Sequence, residues 1–203
     1  MKNTKIIFLS ICCLFTLSAY AQSSNNKVNL FSIGAEGSYN WIDNSTLAVP
    51  ANFTVANQKK NAAGYRVFLG YTLNENVAFE LGYFGTDNFR QSDTYLGTTS
   101  VNVARKINGA ELNALYKLGQ SAPGVFFKVG ITYATVHGRT DRTISGTNLA
   151  DNQSGTGYLF GLGYEMNIME NLDGRISYTR YLRLGGDNDN KMNNFALGVK
   201  YNF

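Results

Sequence analysis

The sequence predicts an all-β chain, an eight-stranded antiparallel β-barrel that crosses a membrane with short turns on one side and long loops on the other. Three observations carry this reading. Apolar and polar residues alternate with a period of two in eight separate stretches, the pattern of strands with one apolar face. The connections between those stretches alternate between short and long. The composition, with 13 Tyr, 13 Phe, 21 Gly and only 2 Pro in 203 residues, suits a β-rich protein with many tight bends and a large supply of amphipathic rings.

The chain opens with MKNTKIIFLSICCLFTLSAYA, in which Lys2 and Lys5 precede an apolar run from Ile6 to Leu17 and Ala19-Tyr20-Ala21 forms a cleavage site. This is the form of a secretory signal peptide over residues 1–21, which implies export through the Sec pathway. The run is shorter than the roughly 20 apolar residues of a membrane-spanning helix, and polar QSSNNKVN follows it at once. A lipoprotein signal at Cys12 or Cys13 fits less well, because Ile11 or Cys12 stands where a small residue is wanted. Cleavage leaves residues 22–203 as one barrel domain without cysteine, so neither disulfides nor thiol chemistry are expected there. Without Lys2 and Lys5 that domain has 16 basic and 14 acidic residues, too even a balance to suggest nucleic acid.

The first predicted strand sets Phe31, Ile33, Ala35, Tyr39 and Trp41 against Ser32, Gly34, Glu36, Ser38 and Asn40. The second sets Tyr65, Val67, Leu69, Tyr71 and Leu73 against Arg66, Phe68, Gly70 and Thr72; after Asn74-Glu75-Asn76 the third sets Val77, Phe79, Leu81 and Tyr83 against Ala78, Glu80 and Gly82. In the fourth, Ala110, Leu112, Ala114 and Tyr116 oppose Glu111, Asn113, Leu115 and Lys117. The fifth begins after a short turn containing Pro123, with Val125, Phe127, Val129, Ile131 and Tyr133 opposing Phe126, Lys128, Gly130 and Thr132. The sixth sets Tyr158, Phe160, Leu162, Tyr164 and Met166 against Leu159, Gly161, Gly163 and Glu165. The seventh opposes Ile176 and Tyr178 to Arg175, Ser177 and Thr179. The last, NFALGVKYNF, places Phe195, Leu197, Val199, Tyr201 and Phe203 on one face. Three long loops are expected, about Asp43 to Ala62, Asp87 to Ala104 and Gly138 to Gly155, rich in Asn, Thr, Ser and Asp.

A soluble barrel would use the same alternation with its apolar face inward. It would then have to pack many large side chains, Tyr prominent among them, into an eight-stranded lumen that is only just filled by small and medium ones. The rings are therefore expected to point outward, and with no apolar helix after the signal, only a closed barrel satisfies its backbone in lipid. Trp41, Tyr65, Tyr83, Tyr133 and Tyr158 fall at the loop ends of strands, and Tyr71, Tyr116, Tyr164, Tyr201 and Phe203 at the turn ends, forming two aromatic girdles. The opposite face carries Glu36, Arg66, Glu80, Glu111, Lys117, Lys128, Glu165, Arg175 and Lys200. Four acids and five bases in so narrow a bore are expected to form a hydrogen-bonded ion network that plugs it; a conducting channel is the alternative.

The stretch GLGYEMNIMENLDGRISYTRYL, residues 161–182, resembles the sixth-to-seventh strand hairpin of small outer-membrane barrels of the OmpA-type transmembrane, OmpX and opacity-protein group. The ending Val199-x-Tyr201-x-Phe203 is similar to their shared terminus. The resemblance implies a bacterial outer-membrane location, recognition of that ending by the barrel-assembly machinery, a monomer, and surface loops that bind host or matrix molecules. A peptidoglycan-binding domain after the barrel is not expected, so the resemblance does not imply an anchoring role.

Neither an enzyme nor a cofactor is expected. His137, the only histidine, sits at the outer end of the fifth strand without a recognisable serine and acid, and reads as a rim residue. The loop acids Asp141, Asp151, Asp187 and Asp189 lack clear partners. Gly185 to Asn190 hints at calcium, but Lys191 takes the next ligand position and no glutamate closes the loop, so a mobile turn is expected. Gly161-x-Gly163 precedes no helix and is no dinucleotide motif. On the outer rim, Arg90, Arg105, Lys106, Arg139, Arg142, Arg180 and Arg183 stand at the height of lipopolysaccharide phosphates, interspersed with Asp87, Asp93 and Asp141.

Overall fold

The computed structural model describes residues 30–43, 53–95, 99–140 and 152–203. The signal-peptide residues 1–21, and Asp141, Arg142 and Asp151 of the third long connection, lie outside the described residues. No described helix is long and apolar enough to cross a membrane; the spanning elements are strands.

Ten strands follow in order: β1 (Phe31–Ile42), β2 (Phe53–Lys59), β3 (Asn61–Thr72), β4 (Val77–Thr86), β5 (Phe89–Tyr95), β6 (Thr99–Lys117), β7 (Val125–Thr140), β8 (Asn152–Met169), β9 (Leu172–Leu182) and β10 (Met192–Asn202). Eight of them form the wall, in the ring order β1, β3, β4, β6, β7, β8, β9, β10 and back to β1, every pair antiparallel. These eight are the alternating stretches of the sequence. The β1–β10 seam pairs Ala35 with Val199 and ends where the Phe203 backbone N–H donates to the Phe31 carbonyl at 3.0 Å. A ring without edges leaves no ladder amide facing lipid.

Short turns close one end. Asn74 Oδ1 accepts from the backbone N–H of Asn76 and Val77 at 3.0 and 2.9 Å, an Asx turn that reverses the chain between β3 and β4. At the other end, the long connections contain strand that the sequence reading left as loop. β2 pairs with β5, and β5 with the upper part of β6, as an annex to the wall. β6, β7 and β8 have 19, 16 and 18 residues, well beyond the roughly 9–11 that cross the hydrocarbon. Their polar ends therefore stand outside it.

Outward side chains of the wall are apolar and open, Leu197 at 65% and Leu81 at 58% exposure among them. In water so continuous a greasy band would drive aggregation; in a bilayer it is the solvated face. The inward side chains are mostly buried. Ile42, Phe84, Phe89, Ile107, Val136, Leu159, Tyr181, Leu184 and Met192 pack at the loop end, charged and amide groups fill the middle, and toward the turn end Ala78, Leu115 and Phe126 pack together on strands that also carry Lys117 there.

Candidate functional site

The middle of the lumen is built on inward positions of five wall strands, β1, β3, β4, β6 and β9. Arg66 on β3 is the hub. Its Nε donates to Glu111 Oε1 at 2.5 Å, Nη1 to Glu36 Oε2 at 3.2 Å and Nη2 to Glu80 Oε2 at 2.7 Å. Arg175 on β9 meets two of these three carboxylates from the far wall, with Nη1 2.5 Å from Glu80 Oε1 and Nε 3.2 Å from Glu36 Oε1. Glu111 further accepts from Asn113 Nδ2 at 2.7 Å and from the Tyr181 hydroxyl at 2.9 Å. A buried charge is tolerated when its lone pairs and protons are taken up by partners, and the planar guanidinium suits several carboxylates at once. Gly82 makes room for this: a Cβ there would stand 3.2 Å from Glu111 Oε1 and 3.4 Å from Arg66 Nε.

Below lies a second cluster. Glu165 accepts from Lys200 Nζ at 2.8 Å and Lys117 Nζ at 3.0 Å, and Lys200 also meets Asp173 at 3.1 Å. An Arg175 Nη1–Glu165 Oε1 separation of 3.8 Å links the two clusters. Phe68 stands between the guanidiniums, 4.4 Å from Arg66 and 4.9 Å from Arg175, and Phe126 lies 4.4 Å from Arg175, so ring faces cover what carboxylates do not. All nine lumen charges of the sequence reading point inward. Eight enter ion pairs, whereas Lys128, buried, lies within electrostatic reach of Glu111 and Glu36 without closing one. Asp173 and Tyr181 belong to the same network and were not singled out from sequence. Both sit at strand ends, where alternation alone does not distinguish lumen from rim.

The outward rings divide as follows. Tyr65, Tyr71, Tyr83, Tyr116, Tyr133, Tyr158, Tyr164, Tyr201 and Phe203 are exposed on the wall; Trp41 is half-buried between Tyr39 and Tyr178, at 6.1 and 6.0 Å between ring centroids. Phe203 packs edge-on to Tyr201 at 5.2 Å. Of the rim bases, Arg180 pairs with Asp43 at 2.5 Å and Arg183 Nε donates to the Gly186 carbonyl at 3.1 Å.

The connection after β9, expected as a mobile turn, folds back over the lumen. Leu184 and Gly185 are buried in a 3₁₀ turn over the loop end of the lumen, and Asn190 Nδ2 donates to the Leu184 carbonyl at 3.1 Å. Gly185 takes φ 69°, a left-handed conformation that glycine adopts without strain. Asp187 Oδ1 accepts from the Asp189 backbone N–H at 3.0 Å, an Asx arrangement. No cluster of three metal-ligating side chains occurs among the described residues.

A family model described as "Outer membrane protein beta-barrel domain" matches residues 9–203. The chain belongs to this family. Its place is the bacterial outer membrane, and the apolar wall is the surface that meets lipid. No curated protein matches it in sequence. Among solved structures, Ail, the attachment invasion locus protein of Yersinia pestis, in complex with the heparin analogue sucrose octasulfate, is similar with a TM-score of 0.53 at 15% identity, covering 86% of this chain and 99% of Ail. Neisserial surface protein A is similar with a TM-score of 0.50 at 18% identity, over 85% of this chain and 97% of that one. At these identities the likeness is one of fold, the small closed barrel.

Proposed function

We propose that this outer-membrane barrel is a closed scaffold that presents its extracellular connections for adhesion to host or matrix surface molecules, and that it is not an enzyme. The observation that carries this is the filling of the lumen: an apolar layer at the loop end covers an ion network that reaches from wall to wall and down to Lys117, Glu165 and Lys200 at the turn end. Such a bore offers no path to solutes, which weighs against the narrow-channel reading. The annex of β2, β5 and upper β6, together with the long ends of β7 and β8, projects where a partner would arrive. Ail, of the same fold, was crystallised with a heparin analogue, which supports an acidic glycan as the first ligand to try. During biogenesis the outward-facing Val199, Tyr201 and Phe203 are read by the barrel-assembly machinery.

The test removes the three long connections, separately and together, and measures attachment of cells bearing each variant to heparin-coated and matrix-coated surfaces. Attachment falls with at least one deletion. Unchanged attachment after all three are removed overturns the adhesive reading.

A further inference from the structure

Two features of the outer wall, unrelated in sequence, lie one above the other. The first is a row of cations created by strand register. Lys59 on β2 opposes Arg90 on β5, Arg90 opposes Ala104 on β6, and Ala104 opposes Arg139 on β7; one pair lower, Lys106 opposes His137. Directly opposed residues share a face of the sheet, and this face is the outward one, because Phe89, Val103, Ile107 and Val136, at the alternate positions, are buried. Lys59, Arg90, Lys106 and Arg139 are exposed. Small Ala104 between Arg90 and Arg139 leaves a gap two strand spacings wide, roughly 10 Å, with Lys106 at its lower edge. Among the described residues, no carboxylate forms an ion pair with any of these four cations. Asp87, between β4 and β5, accepts from the Asn88 backbone N–H at 2.7 Å.

The second feature is an apolar groove of about 630 Å³ crossing the outer wall, lined by Ile33, Ala35, Val67, Leu69, Tyr83 and Ala110 among others. Its upper end, at Ala110, lies four residues below Lys106 on the same face of β6, about 13 Å along the strand. Between the two, the Asn108 amide donates to the Tyr83 hydroxyl at 2.7 Å, a polar pair at the boundary of apolar and charged wall. Cations, then an amide and phenol, then a greasy groove repeat in order the headgroup, linkage and chain of a lipid.

We infer that this strip of the wall is a site for one phosphorylated lipid of the outer leaflet, its phosphate held between Arg90, Lys106 and Arg139 and an acyl chain seated in the groove. Arginine forks and a lysine around a gap match the tetrahedral oxygens of a phosphate monoester. Arg90 and Arg139 lie within two of the long connections, so the site is tested by substitutions that leave every connection in place, separately from the deletions that test adhesion.

The experiment refolds the full chain in detergent and measures, by native mass spectrometry after detergent exchange, retention of phosphorylated lipid A, of the same lipid dephosphorylated, and of inorganic phosphate. The wild type retains the phosphorylated lipid at least about tenfold better than the dephosphorylated one, and millimolar inorganic phosphate does not displace it. Arg90→Ser/Lys106→Ser/Arg139→Ser removes that preference, and Ala110→Trp, which fills the groove, lowers retention of both lipids. Lys106→Gln alone gives a smaller loss in the same direction should the triple variant fold poorly. Equal retention of the two lipids by the wild type, full displacement by inorganic phosphate, or undiminished retention by the triple variant or by Ala110→Trp overturns the site.

Discussion

Arg175 on β9 and Glu80 on β4 meet across the barrel, Nη1 to Oε1 at 2.5 Å, from strands that stand opposite each other in the ring. The contact spans the lumen and joins residues 95 apart in the chain. Both groups are sealed from water, so neither has a solvated alternative, and the pair acts as a strut between walls.

Truncating that strut leaves carboxylates buried against too little positive charge. Arg175→Met is expected to lower stability by about 3–5 kcal/mol, the range for one partner removed from a buried pair. Urea unfolding in lipid vesicles, followed by tryptophan fluorescence and heat-modifiable migration, measures it. Arg175→Met combined with Glu80→Leu loses less than the two single losses added together, because the second change removes a charge the first has orphaned. Strict additivity would show that the two residues do not act on each other.

Phe68 separates the two guanidiniums. Phe68→Ala is expected to cost about 3–5 kcal/mol through the cavity it opens. Phe68→Leu keeps most of the volume and loses the ring face, so its cost is smaller, about 0.5–2 kcal/mol from the cation–π contacts alone. The same unfolding assay separates the two: equal losses would assign the role to the ring face, and no loss for Phe68→Leu would assign it to packing only.

Much of this was legible from residue order. In a barrel only two environments exist along a strand, lipid and lumen, so the alternation of Tyr65 to Leu73 or Phe195 to Phe203 reports side-chain direction as well as strand. Pairing was not legible. Nothing in the spacing tells that Arg66 gathers three carboxylates while Lys128 closes no ion pair, since partners come from strands brought together only by ring closure. The annex escaped for a different reason. In β5 a buried inward position is held by polar Gln91, so Arg90-Gln91-Ser92, like Thr99-Ser100, carries no period-two signal of hydrophobicity and reads as loop. Leu184 was hidden by its neighbours, because Gly-Gly-Asp-Asn composition outweighs one leucine until the fold shows it capping the lumen.

The terminal ring offers a test of assembly against stability. If Phe203 is part of a recognition signal, Phe203→Ala reduces insertion in cells much more than Tyr71→Ala, a girdle change outside the signal. In detergent refolding the two lose similar amounts, bounded by the about 1.5–3 kcal/mol that one fully buried side chain contributes. Outer-membrane yield by surface labelling supplies the cellular measurement. Equal losses in cells would make Phe203 one more ring of the belt.

The claim on which the functional reading rests is that the lumen is closed, and conductance of the refolded protein in a planar bilayer tests it most directly. The structure predicts no steady single-channel current for the wild type, nor for Lys128→Gln, which leaves the Arg66 and Arg175 struts in place. A steady ohmic current from the wild type, with ion selectivity altered by Lys128→Glu, would contradict the closed lumen and make the protein a narrow channel.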